Sequence, residues 1–208
     1  MTPRCLVGLL VLVGGAPAVN AFGTPATLRE SIVALLETHG EPYPTGAPFV
    51  QRPDALGPEI AAEDLAALRR EALLAHPALD GDGILLLERD ARARSLPQNW
   101  QGNEALPRGE VANRIAILRD LRGEPRLETL HRPEPGRLIT DVDLHPAADR
   151  LLFSMLGERN RWQVFEMRLD GSVPEPLPLI DEPDVDNYDA LYLPDGSIIF
   201  STTATDTR

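Results

Sequence analysis

Asp149-Arg150-Leu151-Leu152-Phe153-Ser154 has a counterpart further along the chain, Asp195-Gly196-Ser197-Ile198-Ile199-Phe200-Ser201, with Phe153 and Phe200 standing 47 positions apart. Each copy starts at a turn-forming aspartate, runs through a short apolar stretch and closes on Phe-Ser. An acidic element precedes each, Asp141-Val142-Asp143 and Asp184-Val185-Asp186. A period of about 40–50 residues is that of propeller blades, each a small antiparallel sheet. The two copies set the expected fold: mainly β, with partial (incomplete) β-propeller blades.

Neighbouring segments extend this reading over residues 80–208. Ile84-Leu85-Leu86-Leu87 and Arg114 to Leu118 are short apolar runs that suit buried strands. Trp162 to Arg168 is another, and Asp170-Gly171 after it signals a turn. Ala190 to Leu193 and Ser197 to Thr203 flank the turn Pro194-Asp195-Gly196. Before residue 80 the period is helical, so an α-helical N-terminal segment is expected over 24–79. Thr27-Leu28-Arg29-Glu30 fits a capping box, with Leu28, Ile32, Leu35 and Leu36 on one face. A second helix is expected from about Ala61 to Ala75, with Leu65, Leu68, Ala72 and Leu73 inward. The stretch 41–58 between them holds five prolines and reads as an extended connection.

Residues 1–21 read as a secretory signal peptide. Arg4 gives the positive start, Cys5 to Val13 is apolar apart from Gly8, and Val19-Asn20-Ala21 suits cleavage. The apolar run is too short to span about 30 Å of hydrocarbon. The expected location is therefore periplasmic or secreted, with no membrane association after cleavage. Of 208 residues, 20 are basic and 32 acidic, a net charge of −12. That balance argues against a nucleic-acid partner. Every basic residue is arginine, so there is no lysine for a Schiff base or a phosphate-binding loop. Cys5 is the lone cysteine, which excludes an internal disulfide, a CxxC zinc site and a CxxCH haem attachment.

Several longer segments resemble one family. Leu96-Pro97-Gln98-Asn99-Trp100-Gln101-Gly102-Asn103, the stretch Gly136 to His145, Leu151 to Ser154, Arg161 to Glu166, Asp181 to Ala190 and Tyr192 to Gly196 are similar to segments of hydrazine synthase alpha subunit-like proteins. The similarity runs over roughly residues 27–204. It implies a TolB-like β-propeller in an exported protein, with further blades to follow and, in larger members, covalently bound c-type haem. The enzyme that gives the family its name makes hydrazine from nitric oxide and ammonium. This chain has no haem motif and ends soon after Ser201-Thr202-Thr203-Ala204, so it is expected to be a truncated member. An incomplete ring leaves open sheet edges. The expected partners are therefore the remaining blades, another protein chain, or a second copy.

The most chemical segment is 181–189. Asp184, Asp186 and Asp189 are the candidate metal ligands, with Asn187 as an added oxygen, and calcium is the cation such hard donors suit. The competing reading is structural, since aspartates close tight loops by bonding backbone amides. Asp141, Asp143 and His145 are expected to alternate on one extended face, as metal ligands, an acid–base set or structural hydrogen-bonders. Trp100, set among amides, reads either as a sugar-stacking platform or as a packed loop residue. No GxSxG, HExxH or GxGxxG motif occurs. The expected function is a binding or scaffold module without a catalytic centre or resident cofactor. The alternatives are the N-terminal part of a haem-bearing oxidoreductase and a calcium-supported carbohydrate-binding propeller.

Overall fold

A computed structural model describes residues 25–39, 61–76, 79–90 and 112–205. Residues 1–21, the expected signal peptide, the proline-rich stretch 41–58 and the segment 96–103 with Trp100 lie outside the described residues. The fold is mainly β, built from antiparallel sheets, with two helices before them.

Helix α1 spans Pro25–His39 and α2 spans Ala62–Leu74. Thr27 is not a cap, as its pattern suggested. The helix begins two residues earlier at Pro25, whose fixed φ suits a first helical turn. The apolar stripes face each other: Leu28 and Ile32 of α1 bury against Leu68 and Ala72 of α2, with Leu36 and Leu65 alongside. The sheets hold this pair by its C-terminal end. Arg122 Nε donates to the Leu74 carbonyl at 2.7 Å, and its guanidinium pairs with Asp80 at 2.5 Å. A cation suits the unsatisfied carbonyls at that end of a helix.

Three sheets follow. The first is β1 (Ile84–Arg89), β2 (Asn113–Arg119) and β3 (Arg126–His131), in that order. The second is the meander β4 (Ile139–Leu144), β5 (Arg150–Leu156), β6 (Trp162–Arg168) and β7 (Glu175–Pro176). The third pairs β8 (Asn187–Tyr192) with β9 (Ile198–Thr202). The run Leu151 to Leu156 is buried at every position, because its sheet is covered on both faces. Strand alternation sorts these residues into two sets. Leu151, Phe153 and Met155 join Leu85, Leu87, Ile115 and Ile117 of the first sheet. Leu152, with Val164, joins Ala190 and Tyr192 of the third. Phe153 stacks on Phe165 at 5.7 Å between centroids and also meets the His131 ring.

The turns follow their residues. Gly196 takes φ +86°, and Ser197 N–H donates to Asp195 Oδ1 in the β8–β9 turn. Gly171 takes φ +81° after Asp170, yet β6 and β7 are joined by a longer loop than a two-residue hairpin. Strand β3 gave no sequence signal because four of its six residues are exposed. β7 gave none because it is two residues long.

Candidate functional site

Asp141 and Asp189 share one backbone device in successive sheets. Each lies in the first strand of its sheet, β4 or β8, where the register shifts. Each has positive φ, 52° and 54°. Aspartate tolerates that region better than most side chains, and a bulge re-aims the residue it carries. The bulge explains why Asp141, Asp143 and His145 do not alternate along one face, as their spacing suggested.

The two bulged aspartates feel one another. The Asp189 carboxyl is raised above the usual carboxylate range, first by partial desolvation and then by the Asp141 charge. The Tyr188 hydroxyl is raised too, by desolvation and by the charges of Asp186, Asp189 and Asp141. Arg89 lies within reach of Asp141, and one of its terminal nitrogens donates to the Ile139 carbonyl at 2.6 Å. Burial lowers the Arg89 guanidinium, and the Asp141 charge opposes that shift. Asp141 also accepts the Thr140 hydroxyl at 2.7 Å. Asp189 is a carboxylate with a raised proton affinity.

A stability consequence follows from the Asp189 shift. The folded state holds the Asp189 proton more tightly than the unfolded chain. Stability therefore falls as pH rises from the ordinary carboxylate range through the raised folded value. Asp189→Asn keeps the backbone conformation and removes the charge. It should raise the melting temperature at pH 7 and leave it unchanged below the ordinary carboxylate range. Thermal melts of both proteins across pH 3–7 check the sign. An equal gain at every pH would refute the electrostatic cause.

The three aspartates expected to bind a metal occupy different surroundings. Asp184 is exposed in the turn before β8. Asp186 is buried: its Oδ1 accepts the Trp162 N–H at 2.8 Å, and its own N–H donates to Thr203 Oγ1. Asp189 sits at the bulge, with its N–H donated to Ser154 Oγ at 2.9 Å. Among the described residues, no three acidic, histidine or cysteine side chains gather closely enough to hold a metal ion. Asn187, the added oxygen ligand, turns its Nδ2 to the Ile180 carbonyl instead.

A second polar cluster takes in Asp143 and His145, which the sequence had singled out, but its other members come from β5, β6, β8 and the loop 145–149 and gave no signal. Tyr192 Oη donates to Glu166 Oε1 at 2.7 Å, and Arg150 Nε lies 3.4 Å from the same oxygen. Arg150 also bonds Asp149 and reaches His145 Nε2 at 2.8 Å. Since arginine only donates, His145 Nε2 accepts, while Nδ1 takes the Ala147 N–H at 3.1 Å and lies 3.3 Å from Asp149. The His145 ring meets the Tyr192 ring edge-on at 4.7 Å. Burial, then the Glu166 hydrogen bond and charge, push the Tyr192 hydroxyl well above its ordinary range. Asp143 Oδ2 accepts the Tyr192 N–H at 2.9 Å. Every member has its partners within the cluster, which fastens the third sheet to the second.

No known family model matches the sequence, and no curated protein matches it. Among the described residues, no helix is long and apolar enough to cross a membrane.

Proposed function

We propose that this chain is a propeller-type module that acts by binding or scaffolding rather than by catalysis. One observation carries the reading: each later sheet is tied to the one before by a backbone N–H of its first strand donating to a side chain on the second strand of the preceding sheet, though not at matching positions. The Ile139 N–H of β4 donates to Asn113 Oδ1 in the first sheet, at 3.0 Å. The Asp189 N–H of β8 donates to Ser154 Oγ in the second, at 2.9 Å. Both receiving groups sit at the seam, and both first strands carry the bulged aspartate.

Register carries the repeat one step further. Ser201 stands opposite Tyr188 as Ser154 stands opposite Thr140, and Ile199 stands opposite Leu191 as Leu152 stands opposite Asp143. Leu152 is fully buried under the third sheet, whereas Ile199 is 53% exposed and Leu191 42%. The outer face of the third sheet thus offers an apolar pair and a hydroxyl acceptor where the second sheet's equivalents are covered. A further antiparallel sheet with an apolar inner face fits that surface. Burying two such side chains contributes about 1.5–3 kcal/mol each. The resemblance of several segments to hydrazine synthase alpha subunit-like proteins implies the same arrangement.

For the chain expressed alone, a second copy can cover this face. Sedimentation at about 100 μM should show a dimer in the wild type and a monomer in Ile199→Arg. A wild type that stays monomeric at that concentration would count against the reading.

A further inference from the structure

The outer face of the third sheet and its edge are separate surfaces. In the first two sheets the second strand is paired on both sides: β2 lies between β1 and β3, and β5 between β4 and β6, always antiparallel. By register β9 is the same strand of the third sheet, with Phe200 in the place of Phe153. Among the described residues it pairs with β8 alone. Thr203 N–H donates to the Asp186 carbonyl at 3.0 Å, and the Ser197 carbonyl accepts the Leu193 N–H at 2.8 Å. Odd-numbered residues thus turn their backbone groups to β8, while Ile198, Phe200 and Thr202 turn theirs to the open edge.

The other edge strands are guarded. β3 carries Arg126 and Glu128, β1 ends in Glu88 and Arg89, and β4 and β8 have their bulged aspartates. β7 is interrupted by Pro174, Pro176 and Pro178, and Leu177 between them donates inward to the Val164 carbonyl. Charge, bulge and proline are the devices that keep an edge from pairing. β9, Ile198-Ile199-Phe200-Ser201-Thr202, has no charge, no proline and no bulge of its own. Its side chains are also unfinished. Phe153 is fully buried, with Phe165 of the next strand stacked on it. Phe200 is only partly buried, and so are Leu177 and Leu179 of the same apolar cluster.

Charge describes what would fit there. From residue 169 to 205 the chain has eight acidic residues and no basic one. Asp195 is exposed in the turn that leads into β9. Asp184 is exposed at the other end, two residues before Asp186, whose carbonyl holds Thr203.

We propose that the β9 edge binds an extended segment of another protein, antiparallel, with basic residues at its two ends and apolar residues at alternate positions between them. Its backbone pairs with Ile198, Phe200 and Thr202. Its central apolar side chain covers Phe200 as Phe165 covers Phe153, because residues opposite one another share a face. Its basic ends meet Asp195 and Asp184. A second β9 brings no basic residue to meet them.

The test titrates the peptide acetyl-RVTVTVR-amide into the full chain, labelled with ¹⁵N and kept at about 10 μM. The amides of Ile198, Phe200 and Thr202 should shift and exchange more slowly with solvent, and the Ser201 amide, turned to β8, should keep its rate. The same peptide N-methylated at its central valine should bind at least about tenfold more weakly, as should acetyl-EVTVTVE-amide. Asp184→Asn combined with Asp195→Asn should weaken binding about three- to tenfold and leave the fold intact, since asparagine closes the same turns. Equal affinity for the N-methylated peptide would overturn the proposal, because it would leave charge without strand pairing. So would no response at about 1 mM peptide. Protection of the same three amides in the chain alone, rising with its concentration, would mean that β9 pairs with β9 and would overturn the assignment of a basic partner. A wild type that stays monomeric at higher concentration bears on the face of Ile199 and leaves this test untouched.

Discussion

Phe153→Ala is expected to cost about 3–5 kcal/mol, the range for emptying a fully buried aromatic site. Phe153 is 0% exposed and stands at the centre of the largest apolar cluster. On one side it stacks on Phe165, and on the other it meets His131. Its ring links three strands of two sheets, β5 and β6 in the second and β3 in the first, so local collapse cannot fill the hole without parting the sheets. A loss of that size is a large fraction of a domain's stability. Chemical denaturation should show the midpoint moving sharply down with the slope unchanged. A cost below about 1 kcal/mol would mean that the two sheets do not share this core.

Asp186→Ala should cost about 1.5–3 kcal/mol, and the cost should be the same with calcium or with a chelator. The reason is the buried Trp162 N–H, which sits on the edge of β6 beyond the end of β7 and depends on the Asp186 carboxylate. Removing the side chain leaves that donor without a partner and away from water. Asp184→Ala is the control. Its side chain is exposed, and its loss should stay within about 0.5 kcal/mol. Melting curves of the two variants in calcium and in chelator compare the structural role with a cation role. A calcium-dependent loss in both would restore the metal reading.

The second sheet was the most legible part of the chain. Unbroken apolar residues from Leu151 to Phe153 and alternation from Trp162 to Met167 are the direct signature of a covered sheet, and the structure places strands there. The helical stripes were equally plain, and the two helices bury them against one another. What the sequence hid was backbone geometry. Nothing in Thr140-Asp141-Val142 or Tyr188-Asp189-Ala190 announces a positive φ, because aspartate is also common in ordinary strands and turns. The acidic run 181–189 showed that carboxylates concentrate there. It could not show that Asp186 points at a backbone amide while Asp184 faces solvent, since the difference depends on where β7 stops. Of the knot around Arg150 only Asp143 and His145 stood out; that Glu166 and Tyr192 join them shows only after three strands have paired.

The spacing of prolines on the outer strand has a consequence for how this molecule avoids clumping. Leu177 turns its N–H inward to β6, so residues of the opposite parity look outward, and at 174, 176 and 178 these are all proline. A sheet rim normally recruits strangers by offering a ladder of amides. This rim has no such rungs, so sideways extension into fibrils is closed off at that margin.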